Sequence, residues 1–213
     1  RRYASLDHLT EGRVGFNVVT SYLPSAAENQ GLPTQIPHDE RYEIADEFLD
    51  VCYKLWEGSW EDGAVIKDRE RGIYADPSKV HPIGHKGKYF SVPGISLTEP
   101  SPQRTPVIFQ AGASSRGQKF SGKHAEAVFI SALRPDLTRV VTDRIRTAAE
   151  EQGRSRDDVK ILAMLSVIVD ETEEKAKAKY EEYKKYVNLD SAQAIVGGWS
   201  GVDLSQFDED EVL

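Results

Sequence analysis

The sequence predicts an α/β protein with a parallel sheet, and three patterns lead to that prediction. Short apolar runs of buried-strand length alternate with longer segments in which apolar residues recur every three or four positions. In the second half of the chain the order is strand, helix, strand, helix, strand, helix, which is typical of parallel sheets with helical crossovers. A turn of small residues, 111–117, joins one such strand to the next helix.

The composition is that of an ordinary globular protein, with 213 residues of which 39% are hydrophobic and 29% charged. A net charge of −8 argues against nonspecific binding to nucleic acid or acidic membranes, which needs a basic face. Cys52 is the only cysteine, and no apolar run approaches the length of a membrane span. We therefore expect a cytoplasmic protein with no nucleic-acid and no membrane partner. The chain opens on Arg1 inside a predicted helix, so we also expect a truncated chain.

The first half of the chain contains one strand signal and one long helix signal. A helix end, a strand, a loop and an amphipathic helix are predicted in turn over residues 1–9, 13–19, 20–37 and 39–57. Gly12 suits a left-handed cap for the first helix, and Gly58 closes the second. Residues 58–105 hold many prolines and glycines, with short strand signals near 89–92. Because this excursion is too long for an ordinary connection, we expect an inserted, functional surface element.

The second half of the chain has the more regular pattern. Strands are predicted over residues 106–110, 127–132 and 159–169, and a helix follows each of them, ending near residues 123, 151 and 187. With the strand at 13–19 these make four, which is too few to close a (β/α)8 barrel. Periodicity alone therefore leaves two interpretations open, a small open sheet or a piece of a larger barrel.

The turn at residues 111–117, AGASSRG, is the most informative local feature. Ser114 and Ser115 stand where the following helix begins, and a helix N-terminus presents unpaired N–H groups and partial positive charge. Small side chains let an anion approach the backbone, so the pattern suits a phosphate group. The simpler interpretation is that one serine only caps the helix, and taken by itself the pattern favours capping.

Two further pairs of residues lie where a ligand could be contacted. His38 and Tyr42 are four positions apart at the start of a helix, so they share one face and present an imidazole and a phenol. Taken alone, they are better explained as an exposed loop residue and the first residue of the core stripe. Asn17 and Thr20 end the first strand, at the edge where barrel enzymes concentrate binding residues, but polar residues there are also ordinary loop starters.

The sequence predicts no metal site. His81 and His85 are four positions apart, but Pro82 and Gly84 prevent a helix that would present both on one face. The chain also lacks a GxGxxG or Walker phosphate loop and a GxSxG nucleophile elbow.

Five stretches of the chain together resemble one enzyme family, although no single stretch is specific. They occur in the family's order, cover nearly the whole chain, and read RRYASLDHLTEGRVGFNVVTS, HDERYEIADEFLDVCYKLWEGSW, HKGKYFSVPG, QAGASSRGQKFSGKHAEAVF and GWSGVDLSQFDEDEVL. The combination resembles the nitrilotriacetate and dibenzothiophene-sulfone monooxygenase family, a branch of the bacterial-luciferase-like flavin enzymes. In this family Trp is usual where Phe16 stands.

The resemblance implies a partial (β/α)8 TIM barrel of the luciferase-like type, a single incomplete domain over residues 1–213 with the excursion at about 58–105 inserted in it. About the first three strands and the last strand of the barrel would lie outside the chain. Reduced FMN (FMNH2) would arrive from a separate NAD(P)H-dependent flavin reductase, and the enzyme would use O2 to oxygenate a small organic substrate. A homo-oligomer is also expected.

The resemblance also changes the interpretation of the candidate residues. His38 and Tyr42 match the family's His-x3-Tyr pair that contacts FMN, and Ser114, with Ser115 beside it, matches the serine at the flavin phosphate. Asn17 and Thr20 fall in the segment that lines the flavin pocket. The family's acidic residue near the isoalloxazine and its further hydroxyl contact have no counterpart in this chain, so the catalytic residues stay unknown.

Two alternatives remain open at this point. The chain could be a non-catalytic or degenerate fragment of the family, or an assembly module. The same barrel could also hold a deazaflavin and act as an oxidoreductase, as other luciferase-like branches do.

Overall fold

The structure is a computed structural model that describes residues 1–112, 114–131 and 134–200. These residues form two compact units, one of residues 1–20 and 37–164, the other of residues 21–36 and the chain from 165 onward. The end of the predicted strand at 127–132 and most of the last family-like stretch, 198–213, fall outside the described residues. The single domain expected over residues 1–213 stays a prediction.

The described residues contain short strands and longer helices. The strands are β1 (Gly15–Asn17), β2 (Val65–Asp68), β3 (Ile73–Ala75), β4 (His85–Lys86), β5 (Ser91–Val92), β6 (Val107–Gln110), β7 (Ala127–Ile130) and β8 (Lys160–Ala163). The α-helices are α1 (Arg2–Thr10), α2 (Pro24–Glu28), α3 (His38–Tyr53), α4 (Ser115–His124), α5 (Pro135–Glu150), α6 (Glu173–Lys184) and α7 (Leu189–Ser200). None of these helices combines the length and the apolarity that crossing a bilayer requires.

The first unit is built on a four-stranded parallel sheet in the order β1, β6, β7, β8. In register, Phe16 pairs with Ile108 and Val128 pairs with Ile161. This confirms the predicted parallel α/β architecture. Because neighbouring strands run in the same direction, their carboxyl ends meet at one edge of the sheet, the edge at which Asn17 and Gln110 end their strands.

Helices cover one face of this sheet through two apolar clusters. One joins α3 and α4 to β6 through buried residues, with Tyr42, Ala45, Leu49, Val18, Ile108 and Phe120 as its members. The other joins α5 to β7 and the start of β8, with Ala125, Val128, Ile130, Ile145, Ala149 and Val159 as its members. The apolar residues at helical spacing in the sequence are therefore the ones that pack on the sheet.

Three local outcomes differ from or refine the sequence expectations. Helix α1 ends with Glu11 and Gly12 in the left-handed region, as Gly12 predicted. The loop predicted over 20–37 contains the short helix α2. The strand predicted over 159–169 is shorter in the structure, where β8 ends at Ala163, opposite Ile130 at the end of β7.

The excursion at 58–105 forms two antiparallel hairpins, β2–β3 and β4–β5, and belongs to the first unit. The second hairpin is fastened to α3 by Glu47, whose carboxylate accepts hydrogen bonds from the backbone N–H of Tyr89 at 2.9 Å and of Phe90 at 2.7 Å. The same carboxylate lies 3.1 Å from Nε2 of the buried His85. The strand predicted near residues 89–92 is therefore β5, and the residues before it are hydrogen-bonded to α3.

Helices α4 and α5 approach so closely that Gly122 is required between them. A Cβ at this position would lie 2.5 Å from the carbonyl carbon of Ala148 and 2.7 Å from its oxygen, and backbone atoms cannot move aside cheaply. We expect Gly122→Ala to lower the free energy of unfolding of the full-length protein by roughly 1 to 3 kcal/mol, the usual range for overpacking, in urea denaturation.

The matched control is Gly58→Ala, since Gly58 ends a helical turn and a Cβ added there would meet nothing within 4 Å. This change should be neutral or stabilise by up to about 1 kcal/mol. Equal effects of the two substitutions would contradict the close approach of α4 and α5.

Candidate functional site

The N-termini of two helices meet at the carboxyl edge of the sheet. Strand β6 ends at Gln110, and α4 begins at Ser115 after a turn whose residue 113 falls outside the described residues. Ser114 caps α4, with its Oγ accepting a hydrogen bond from the backbone N–H of Gly117 at 3.0 Å. His38, the first residue of α3, places its Nε2 3.2 Å from this same Oγ.

Asp39 determines which nitrogen of the His38 ring carries the proton, because its carboxylate lies 2.6 Å from Nδ1. That contact favours a proton on Nδ1, so in the neutral ring Nε2 accepts a hydrogen bond from the hydroxyl of Ser114. His38 is exposed and Ser114 is half-buried, so an anion in solution can reach both side chains. When protonated, His38 would add a positive charge at the same point.

Tyr42 lies beneath this pair and is buried, with 5% of its surface exposed. Its ring centroid is 5.2 Å from that of His38, which confirms that the two share one face of α3. A Cβ on Gly112 would lie 2.5 Å from the Tyr42 hydroxyl oxygen, and a Cβ on Gly117 would lie 2.7 Å from it. The phenol therefore presents only its hydroxyl to the turn, and the turn accepts it because both residues lack side chains.

Gln110 supports the turn through hydrogen bonds, and it was not identified from the sequence as a site residue. It is buried, its Oε1 accepts hydrogen bonds from the Ser121 hydroxyl at 2.6 Å and from the backbone N–H of Gly112, and its Nε2 lies 3.4 Å from the Tyr42 hydroxyl. The sequence feature that could have identified Gln110 is its place as the polar last residue of the apolar run 106–110, because an amide buried there needs hydrogen-bond partners.

An ionic cluster joins α3 to α4 next to Tyr42. Arg116 donates from Nη2 to Oδ2 of Asp46, and its guanidinium carbon lies 5.5 Å from the centroid of the Tyr42 ring. Oδ1 of Asp46 lies 2.7 Å from Nε2 of His124 and 3.2 Å from Nζ of Lys123. Burial by itself would raise the pKa of the Asp46 carboxyl. Hydrogen bonds from His124 and Arg116 and the charge of Lys123 outweigh this effect, so the pKa lies below its ordinary value of 3.8.

The comparisons with known proteins agree on one family. Residues 1–209 match the sequence profile of the luciferase-like monooxygenases. The chain belongs to the luciferase-like monooxygenase family. Dimethyl-sulfide monooxygenase of Hyphomicrobium sulfonivorans is 56% identical over 213 residues, which are 100% of this chain and 44% of that protein.

Solved structures extend this likeness to the fold of the luciferase-like chain. The crystal structure of long-chain alkane monooxygenase superposes with a TM-score of 0.93 at 52% identity, over 100% of this chain and 49% of the other. A riboflavin lyase crystallised with modified FMN and riboflavin superposes with a TM-score of 0.89 at 43% identity, over 98% and 46%. The chain spans about half the length of these relatives, so it carries a partial luciferase-like TIM barrel.

The branch predicted from the sequence is also confirmed. Dibenzothiophene-sulfone monooxygenase of Rhodococcus erythropolis is 37% identical over 97% of this luciferase-like chain, and nitrilotriacetate monooxygenase component A of Aminobacter aminovorans is 39% identical over 100%. The chain covers 46% and 47% of these two proteins.

The remaining predicted site residues of the luciferase-like chain lie near the cluster but do not join it. Ser115 is exposed in the first turn of α4 and borders a surface groove between α4 and α5, so its backbone N–H, rather than its hydroxyl, faces the turn with Ser114. Asn17 is exposed and pairs in register with Phe109, and Thr20 follows at the same edge. Within the described ranges, neither side chain forms a hydrogen bond to the cluster.

The histidines give no metal centre in the parts of the chain that the structure describes, where no group of three His, Cys, Asp or Glu side chains could hold an ion. His81 pairs with Glu61 at 2.6 Å, and His85 lies between Lys54 at 3.0 Å and Glu47.

The depressed pKa of Asp46 leads to a prediction about stability and pH. A carboxylate with a lowered pKa stabilises the fold above its unfolded pKa, and this contribution is lost as the pH falls through the folded pKa. Asp46→Asn should therefore lower the free energy of unfolding by roughly 1 to 3 kcal/mol near pH 7. The difference between the two proteins should shrink below about pH 4, measured by urea denaturation across that range.

The control is Asp136→Asn, because the Asp136 carboxylate is exposed and pairs only at the surface with Arg134. Its replacement should change stability by less than about 1 kcal/mol at either pH. A deficit in Asp46→Asn that stays constant between neutral and acid pH would show that the carboxylate charge is not what stabilises α3 against α4.

Proposed function

We propose that the full-length protein is a two-component, FMN-dependent monooxygenase. It takes reduced FMN from a separate NAD(P)H-dependent flavin reductase and uses O2 to oxygenate a small organic substrate. The observation that carries the proposal is the meeting of two helix N-termini, with Ser114 and His38 side by side above a turn that excludes side chains. Because the chain spans about half the length of its relatives, the activity is proposed for the full-length protein.

The chemistry of this point suits a flavin phosphate. The first N–H groups of α3 and α4 have no acceptor within their helices, and both helix dipoles are positive at this end. Ser114 adds a hydroxyl, and His38 adds an imidazole that can donate from Nε2 when protonated. A dianion placed here would meet donors from two helices and one hydroxyl, which together offset its loss of hydration.

The glycines of the turn leave the space that the Tyr42 hydroxyl occupies. Side chains at Gly112 or Gly117 would collide with the Tyr42 hydroxyl, so the backbone at the turn stays bare. The same contact brings that hydroxyl within reach of a group bound at the turn. Tyr42 therefore contributes one donor from the buried side, while its ring stays in the core.

Asn17 and Thr20 would line the flavin pocket from the neighbouring strand. The pairing of Asn17 with Phe109, next to the last residue of β6, supports this role, and the exposure of Asn17 leaves its amide available to a ligand. Thr20 follows β1 by three residues. Ser115 would contribute its backbone N–H at the start of α4.

When bound, reduced FMN would supply the oxygen chemistry, since its two electrons allow one oxygen atom of O2 to enter the substrate while the other leaves as water. The described residues anchor its phosphate end and hold the cofactor in one orientation. Relatives of high identity carry names with different substrates, dimethyl sulfide and long-chain alkanes among them. The proposal therefore goes no further than a small organic substrate, and the partly similar riboflavin lyase with modified FMN supports FMN as the cofactor.

The first test is the affinity of the full-length protein for FMN and for riboflavin, which lacks the phosphate. Ser114→Ala and Tyr42→Phe should each weaken FMN binding roughly tenfold, because each removes a hydrogen bond to a charged group. Riboflavin binding should change less than about threefold. Quenching of flavin fluorescence under titration measures both dissociation constants.

The matched control is Thr172→Ala, because Thr172 caps α6 as Ser114 caps α4, with its side chain accepting from the N–H of Lys175 at 3.3 Å. It should leave FMN affinity unchanged while costing about the same helix stability, on the order of 1 kcal/mol. If Ser114→Ala and Tyr42→Phe both bind FMN as tightly as the wild type, the assignment of the phosphate site to these residues is wrong.

The second test separates the proposed activity from its alternatives. With reduced FMN supplied by a flavin reductase, the full-length protein should incorporate oxygen from O2 into an organic substrate, detected by mass spectrometry with labelled O2. A protein that binds the deazaflavin more tightly than FMN would support the deazaflavin oxidoreductase instead. Failure to bind either cofactor would support a non-catalytic member of the family.

A further inference from the structure

We propose that Asp46 is a positioning residue for the phosphate end of FMN, and that it acts through Arg116. The inference rests on the proposed function, because it concerns the same turn. Among the described residues, the carboxylate of Asp46 forms hydrogen bonds to Arg116, Lys123 and His124, and to none of the side chains assigned to the phosphate itself. Its carboxylate instead holds the guanidinium that lies over the ring of Tyr42.

The position of Arg116 is unusual enough to need an explanation. It is the second residue of α4, where the positive end of the helix dipole disfavours a cation. Its side chain runs back along α3, where it pairs with Asp46 and is only 23% exposed. The ion pair therefore neutralises a charge that would otherwise be free at the mouth of the site.

Asp46 also fixes α4 along its length. Its carboxylate binds Arg116 from the first turn of α4 and His124 and Lys123 from the last turn. His124 also contacts α3 at a second point, since the hydroxyl of Tyr53 lies 3.1 Å from its Nδ1. One carboxylate thus ties both ends of α4 to α3, and its bond to Arg116 is the one that lies at the phosphate end.

Tyr42 transmits this alignment to the turn. Its ring centroid lies 5.5 Å from that of Phe120 and 5.5 Å from the guanidinium carbon of Arg116. The space left for its hydroxyl beside Gly112 and Gly117 is small. Loss of the Asp46 contact would release Arg116 from the ring, and the hydroxyl and the Ser114–His38 pair would lose their fixed spacing.

An ion pair that only stabilised the fold would behave differently from a positioning pair. It would weaken the binding of every ligand of the barrel alike, through a smaller folded population. A positioning pair acts on the phosphate, so it changes the preference for FMN over riboflavin. That ratio is therefore the quantity to measure.

The experiment compares the full-length protein with Asp46→Asn, Arg116→Met and the double variant, by titration with FMN and with riboflavin. We expect each single substitution to lower the FMN-over-riboflavin preference about tenfold, the scale of one charge-assisted hydrogen bond. The double variant should lose no more than Arg116→Met alone, because Asp46 acts through Arg116. The control Lys123→Met removes another Asp46 partner, outside the first turn of α4, and should leave the preference unchanged.

Several outcomes would overturn the inference. Equal weakening of FMN and riboflavin in Asp46→Asn would make the pair merely structural, and additive losses in the double variant would show independent roles. A tighter or unchanged FMN preference in Asp46→Asn, with a loss in Arg116→Met, would make Arg116 a direct phosphate ligand. If Asp46→Asn does not fold, Asp46→Glu takes its place, because it keeps the charge and moves the carboxylate relative to Arg116, and an unchanged preference in Asp46→Glu refutes the inference. A retained preference in Arg116→Met refutes it as well.

The same titration distinguishes this inference from the proposed function. A wild-type protein that binds riboflavin as tightly as FMN would refute the phosphate site itself. A wild-type preference for FMN that survives in every variant would refute only the role of Asp46 and Arg116.

Discussion

The hydroxyl of Tyr42 occupies the space in which side chains at residues 112 and 117 would otherwise lie. This close approach fixes three elements at once, because the turn ends β6, begins α4 and touches the inner face of α3. A larger residue at either glycine would have to displace a buried phenol whose ring packs on Phe120. The candidate site therefore depends on an absence of side chains as much as on the side chains that are present.

Electrostatics explain why an anion fits at this point of the fold. A parallel sheet brings the carboxyl ends of its strands to one edge, and the helices that follow or cover those strands begin there. In this chain α3 and α4 begin within hydrogen-bond distance of each other, at His38 and Ser114. Arg116, the cation in the first turn of α4, is paired with Asp46, and the backbone of that turn adds the positive end of the helix dipole.

Much of the first unit could be predicted from the sequence, because its signals are local. The apolar stripe of α3, the strand β6 and the cap at Ser114 all follow from residue spacing and from the chemistry of the turn. The spacing of His38 and Tyr42 also predicted their shared helix face. The barrel and the flavin came from the resemblance alone, since four strands do not distinguish a small sheet from part of a barrel.

The features that the sequence did not reveal depend on contacts between distant residues. Asp46 and Arg116 are separated by 70 positions, and nothing in either local pattern connects them. Gln110 looked like the polar end of an apolar run, and its role depends on Ser121 and Tyr42 approaching it in the fold. The end of β8 likewise coincides with that of β7, since Ala163 is the partner of Ile130 in the sheet.

The most direct measurement is a crystal structure of the full-length protein with FMN bound. We expect a phosphate oxygen within about 3.2 Å of Ser114 Oγ, and backbone N–H groups at the start of α4 that point at the same phosphate. A phosphate bound at another strand end, with Ser114 serving only as a helix cap, would contradict the proposed site.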